Sequence, residues 1–241
     1  MALVSAVEMV KKAHAGHYAI PAFNTNNLEW TKSILSGIQE AKSPAIIQVS
    51  EGAAKYMGGY TTVVNIVKNL YESMGITVPV ALHLDHGPDF ETCKACIDAG
   101  FTSVMIDGSK YDFEENVALT KKVVDYAHPR GVVVEAELGK LAGIEDNVNV
   151  SASDAMYTDP EQAKEFVERT GCDSLAIAIG TSHGAYKFKG EAKLRFDILA
   201  KVKELITNTP IVLHGASTVI PELVEMCNKY GAEIPGAKGV P

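Results

Sequence analysis

Cysteine is scarce in this chain, with four in 241 residues: Cys93, Cys96, Cys172 and Cys227. That excludes a small disulfide-framed scaffold. Basic residues are outnumbered, 22 Lys+Arg against 30 Asp+Glu, for a formal net charge of −8. The balance argues against a general nucleic-acid-binding face, while leaving room for a local basic pocket around a phosphorylated metabolite. No apolar run approaches the ~20 residues of a membrane span, so no membrane partner is expected. Met1-Ala2-Leu3-Val4-Ser5 has no basic region followed by an apolar core, so no signal peptide is expected either. Few thiols, no signal and enough apolar sequence for a core point to a reducing, cytoplasmic setting. No Gly-x-Gly-x-x-Gly follows the first strand, and there is no P-loop, so dinucleotide and nucleotide binding lack their usual signals.

What is present is a regular alternation of strand and helix patterns. Strands are expected at Tyr18 to Phe23, Ala45 to Val49, Val78 to Leu84, Thr102 to Asp107, Val132 to Leu138, Asp173 to Ile179 and Pro210 to Leu213. Between them lie amphipathic stripes, such as Val63, Ile66, Val67, Leu70 and Met74. One helix should begin near Asn26, with Glu29 as capping partner, and another at Asp159-Pro160-Glu161-Gln162. Gly139 to Tyr157 reads as one long loop, and Pro221 starts a last helix. Dispersed βα units without a composition break predict a single domain over residues 1–241, an α/β (β/α)8 TIM barrel. An eighth strand and C-terminal helices are absent from the sequence, so the barrel is expected to be C-terminally incomplete.

The chemistry gathers at strand ends, where such barrels keep it. The third strand closes on His83-Leu84-Asp85-His86-Gly87; later strands close on Ser182-His183-Gly184 and Leu213-His214-Gly215. Three imidazoles at equivalent strand ends, His86, His183 and His214, suit a zinc ion with one position left for substrate; cobalt would also fit. Asp85 beside them reads as a general acid/base or as a hydrogen-bond partner. Strand alternation sets Asp85 and His86 on opposite faces, a conflict relieved if the chain bends at Gly87-Pro88. His83 reads as a packed histidine, and His14, His17 and His128 suggest no site. Asp107, Glu135 and Glu137 end two further strands, with Glu135 and Glu137 on one face. Gly184, Gly215, Ala216 and Ser217, with Lys187 nearby, could form a backbone nest for a phosphate, or simply turn the chain. Cys93-Lys94-Ala95-Cys96 has redox spacing but sits in a helical pattern, which favours ordinary core thiols.

These motifs, with Ala22-Phe23-Asn24, Val49-Ser50-Glu51-Gly52-Ala53, Asp107-Gly108-Ser109 and Glu135-Ala136-Glu137-Leu138-Gly139, resemble the class II, zinc-dependent fructose-1,6-bisphosphate aldolases over essentially the whole chain. They also fit the sister tagatose-1,6-bisphosphate enzymes, although the tail from Cys227 looks more like the fructose branch. The resemblance implies a lyase in which His86, His183 and His214 bind the catalytic zinc and Asp85 handles the C4 hydroxyl proton. It implies that Asp107 and Glu137 can hold a second divalent cation, with a monovalent cation in some members. Glu145 would move the proton at the dihydroxyacetone phosphate carbon. Asn24 and Ser50 would touch substrate, and Gly184, Gly215, Ala216 and Ser217 would cradle phosphate, with Lys187 close by in sequence as a further substrate-binding candidate. A homodimer acting on a phosphorylated ketose is implied as well. Two departures stand out: Ala142 replaces a usual glycine, and the family's Asn-x-Asp-Thr/Ser-Asp motif and downstream arginine lie beyond Pro241.

Two rivals remain. A metal-dependent hydrolase on the same barrel would usually show His-x-His on the first strand, which is missing. A metal-binding barrel without activity is the other, since fold alone does not fix function.

Overall fold

The computed structural model describes residues 3–141, 143–145, 148–151, 155–183 and 194–216. They divide between two compact units: Met1–Glu137 with Glu165–Leu175 and Thr207–Pro210, and Leu138–Lys164 with Ala176–Ile206 and Ile211–Pro241.

In the first unit, β1 (Ala22–Asn24), β2 (Ala45–Val49), β3 (Val80–Gly87), β4 (Ser103–Ile106) and β5 (Val133–Leu138) pair in sequence order, every pair parallel. The start of β8 (Ser174–Ile177) joins them, where Asp173 N donates to Val134 O (2.8 Å). Strand β9 (Ile211–Val212) follows β8 in the sheet order β1-β2-β3-β4-β5-β8-β9. Every residue of β3, β4 and β5 is buried. This is why these segments read as near-continuous apolar runs: parallel strands covered on both faces have no solvent side to show.

Helices α2 (Leu28–Glu40), α4 (Tyr60–Ser73), α5 (Phe90–Ala99) and α6 (Phe113–Ala127) return the chain between strands, and each packs on the next. Three of these starts carry a side-chain cap. Asn27, Asp89 and Asp112 accept hydrogen bonds from Trp30 N, Thr92 N and Glu115 N, caps worth ~1 kcal/mol each. The first of these caps is Asn27, one residue later than expected. Helix α1 (Ala6–Gly16) presses Ala6 and Met9 against Ala81 of β3 and Val133 of β5. A short α3 (Glu51–Tyr56) follows β2, with Ser50 as its cap.

The second unit corrects one expectation. The segment read as a plain loop holds an antiparallel pair, β6 (Gly143–Glu145) and β7 (Val148–Val150), and a bridge between Lys140 and Met156. Three-residue strands are too short to show a period. The unit also carries α8 (Phe196–Leu205), while α7 (Pro160–Thr170) crosses from it into the first. The helix expected from Pro221 lies outside the described residues. No helix among the described residues is long and apolar enough to cross a membrane.

Strand boundaries also move, most of all at β1 and β3. Strand β1 begins at Ala22 rather than Tyr18, and β3 runs on through Asp85, His86 and Gly87. The strand ends at Gly87, just before Pro88. The hydrogen of Gly87 is needed because a Cβ there would lie 2.4 Å from Met105 O and 2.9 Å from Cys93 Sγ.

Candidate metal centre

The end of β3 resolves the conflict between alternation and chemistry. His86 takes φ +46°, and the β3–β4 register shifts between Leu84 and Gly87. This is a bulge: one extra residue turns the next side chain round. A positive φ outside glycine costs on the order of 1–3 kcal/mol, so surrounding contacts must hold it. As a result Asp85 and His86 bring ligand atoms within 4.8 Å of each other, and both are buried. The bend falls at His86 itself, one residue before the expected turn.

Asp85 is held from the β1 and β2 side. Asn24 Nδ2 donates to its Oδ2 (2.7 Å), and Gln48 Nε2 donates to the same oxygen (2.9 Å). Gln48 also donates to Asn24 Oδ1 (3.0 Å), which fixes the orientation of both amides. Gln48 was missed in the sequence, although its signal was there: one amide inside the apolar strand Ala45-Ile46-Ile47-Gln48-Val49. A buried polar side chain must find partners, and the partner here is Asp85.

His86 is held from the β4 and β5 side. Its Nδ1 donates to Asp107 Oδ2 (2.9 Å) and lies 3.6 Å from Glu137 Oε2. A carboxylate on Nδ1 selects the tautomer with the lone pair on Nε2, the usual support of a metal-bound histidine. Asp107 is itself set by Ser109 N, which donates to Oδ1 (3.0 Å). Burial opposes charge on His86, but the Asp107 hydrogen bond and the Glu137, Asp85 and Asp107 charges outweigh it, pushing the imidazole up to about 10. Burial works against Asp107 as well, yet the His86 hydrogen bond and charge and the Ser109 contacts bring its carboxyl down to about 2. Three buried carboxylates around one imidazole form an anionic pocket. His86, Asp107 and Glu137 offer ligand atoms all within 4.8 Å of one another. Buried charge of this sign and density calls for a cation, so the donor set fits a divalent ion.

One layer below, His83 Nδ1 shares a hydrogen bond with Ser103 Oγ (2.7 Å), and Nε2 lies 3.9 Å from Glu135 Oε2. His83 is thus the packed histidine that was expected. Ser50 Oγ accepts from Ala53 N (3.2 Å) as the α3 cap. Cys93 and Cys96 are buried, and burial pushes both thiols far above their ordinary range. That is the signature of core thiols rather than a redox pair.

In the second unit, His183 is buried just past β8, and its ring centroid lies 6.0 Å from that of His214 in the turn after β9. Gly215 has φ +62°, and a Cβ on it would meet the Ser182 backbone at 2.5 Å. Glycine is required there for both reasons. Ala216 is exposed beside it. Glu145 ends β6. The stem of its segment is pinned by Thr158, whose Oγ1 donates to Leu138 O and accepts from Ala178 N. Gly184, Lys187 and Ser217 lie outside the described residues.

Comparison with known proteins gives one answer. Residues 4–233 match the family described as Fructose-bisphosphate aldolase class-II. A fructose-bisphosphate aldolase of Geobacillus stearothermophilus is 55% identical over 231 residues, covering 96% of this chain and 79% of the relative. One from Thermus caldophilus is 52% identical over 238 residues, covering 99% and 76%. Among solved structures, the YdjI aldolase from Escherichia coli K12 superposes with TM-score 0.76 at 37% identity, covering 93% of this chain and 76% of that one. A putative fructose-1,6-bisphosphate aldolase from Coccidioides immitis superposes with TM-score 0.80 at 34% identity, covering 94% and 78%.

Proposed function

This chain belongs to the class II fructose-bisphosphate aldolases, and from that premise we propose that it catalyses the reversible aldol cleavage of fructose 1,6-bisphosphate. The products are dihydroxyacetone phosphate and glyceraldehyde 3-phosphate. The observation that carries the reading is the buried Asp85, clamped on one oxygen by Asn24 and Gln48 and set beside His86 by the β3 bulge.

In cleavage Asp85 takes the C4 hydroxyl proton as the C3–C4 bond breaks, and returns it in the synthetic direction. The Asn24 and Gln48 amides keep the accepting carboxylate in one orientation, so the proton path does not wait on rotation. His86, His183 and His214 supply the ligands for zinc, with Asp107 orienting His86. Zinc, when bound, supplies Lewis-acid stabilisation of the negative charge left by bond cleavage. Asp107 and Glu137 together favour a second divalent cation, and family resemblance alone points to a monovalent one. Glu145 moves the proton at the dihydroxyacetone phosphate carbon. Asn24 and Ser50 meet the substrate. Lys187 is a further substrate-binding residue. Gly184, Gly215, Ala216 and Ser217 receive phosphate, and the backbone at Gly215, kept bare by its close approach to Ser182, supports that reading. A single family match over 4–233 supports one barrel domain across 1–241. A cytoplasmic homodimer is the working assembly.

The test is cleavage of fructose 1,6-bisphosphate by the wild-type protein before chelation, after it, and after zinc is restored. Activity should vanish and return. A His214→Ala variant should lose both zinc and activity; full zinc occupancy in that variant would remove His214 from the ligand set. Cleavage that survives complete chelation would sink the metal-dependent reading.

A further inference from the structure

One buried polar group near the metal centre has no place in the mechanism above. Asn116 lies in the first turn and a half of α6, on a face otherwise formed by Val117, Thr120, Val123, Val124 and Ala127. It is 2% exposed. Asparagine is a poor helix former, and burying its amide is unfavourable unless every donor and acceptor is used well. Its position therefore needs a reason beyond packing.

The geometry supplies one. Asn116 Nδ2 donates to the backbone carbonyl of Glu137 (2.9 Å). Thr120 Oγ1, one helical turn on, donates to Asn116 Oδ1 (3.2 Å) and so decides which way the amide points. The amide head also fills the space left by Gly108: a Cβ there would sit 2.1 Å from Oδ1 and 2.6 Å from Cγ. Gly108 directly follows Asp107. A single side chain thus touches the backbone beside one acid of the metal centre and binds the backbone of another.

The ladder between the two strands explains why this matters. The β4–β5 register runs from Ser103↔Val133 to Ile106↔Ala136. Asp107 and Glu137 are the next residues on each strand. Their separation therefore rests on what holds the strand ends just past the ladder. At that separation Asp107 Oδ2 and Glu137 Oε2 both face His86 Nδ1, at 2.9 and 3.6 Å.

We propose that Asn116 is a positioning residue for the metal centre, a spacer that holds the Asp107 and Glu137 carboxylates at the distance needed to share one cation-binding pocket with His86. The inference rests on the metal-dependent reading above. It assigns no substrate contact to Asn116, which acts only through the strand ends.

The test compares zinc affinity, by calorimetric titration of the metal-free protein, in wild type, Asn116→Ala, Asn116→Asp and Val123→Ala. Val123 is a fully buried neighbour on the same helix, so Val123→Ala lowers thermal stability while leaving the Asn116 hydrogen bonds in place. Both Asn116 variants should bind zinc roughly 10- to 100-fold more weakly, the usual effect of losing a support behind a metal ligand. The Asp variant should be the worse, since it sets an acceptor against the Glu137 carbonyl. Val123→Ala should bind like wild type at a temperature where all four are folded. Wild-type affinity in both Asn116 variants, with melting lowered as in Val123→Ala, would overturn the inference and leave Asn116 a packing residue. Wild-type cleavage decides the other question. If wild type binds zinc more tightly than the Asn116 variants but cleaves no fructose 1,6-bisphosphate, the spacer stands and the aldolase reading falls.

Discussion

Asp85 and Asp107 end neighbouring strands, are both buried, and lie on either side of His86, yet they are held in opposite ways. Asp85 is held by two neutral amides from β1 and β2. Asp107 is held by an imidazole and a backbone N–H, with Glu137 close behind. Amide donors orient a carboxylate and bring no compensating charge, which suits a group that must accept and return a proton. On the other side negative charge accumulates around a single imidazole, which suits a cation. The contrast teaches that the proposed acid/base and the proposed metal support are separated by which edge of β3 they lean on, with the bulge at His86 as the divide.

The largest expected effect breaks the amide side. Asp85→Ala should lower turnover by ~10²–10⁴, the range for a lost general acid/base, while zinc content measured by mass spectrometry stays at the wild-type level. Unchanged turnover would remove Asp85 from the mechanism; lost zinc would merge the two sides. Next comes the clamp. Gln48→Leu removes one of the amide hydrogen bonds to a charged group, each ~1.5–3 kcal/mol, so kcat should fall roughly ten- to hundredfold with zinc affinity unchanged. A change in zinc affinity without one in kcat would place Gln48 on the wrong side of the divide.

The metal side is sharpened by pH. In the metal-free protein His86 holds its proton up to about 10, and a ligating imidazole must give it up. Zinc affinity should therefore rise with pH, by up to about tenfold per unit between pH 7 and 9 for one released proton. Proton release seen in buffers of different ionisation enthalpy provides the check. A flat profile would mean that His86 is already neutral. The smallest effect is on stability. The folded-state value lies above the unfolded 6.5, so the stabilisation is complete below about 6.5 and fades as pH rises toward 10. The melting temperature of the chelated protein should fall over that span, and His86→Ala should flatten the slope.

Much of this arrangement was legible in the sequence. Ala45 to Val49 is the observed β2, and the Asp159 cap stands where its pattern places it. The strand-end residues Asp85, His86, Asp107 and Glu137 do meet, because a parallel sheet delivers its strand ends to one rim. What escaped was what depends on partners far along the chain. Gln48 is ordinary until Asp85, 37 residues on, gives it a role. Asn116 looks like a weak helix residue until Glu137 is beside it. The β6–β7 hairpin was too short to show alternation, and the His86 bulge left no mark in composition, since any rule of two sends Asp85 and His86 apart.

That bulge has a wider consequence. A regular strand lends every second residue to a given face, so a barrel of fixed strand number has a fixed supply of seats around its mouth. By inserting one residue, β3 brings two adjacent side chains to one place where a regular strand would send them to opposite faces. A search for this chemistry in other chains that assumes strict alternation would discard the adjacent Asp-His pair, and a design that straightened β3 would keep both residues and lose their meeting.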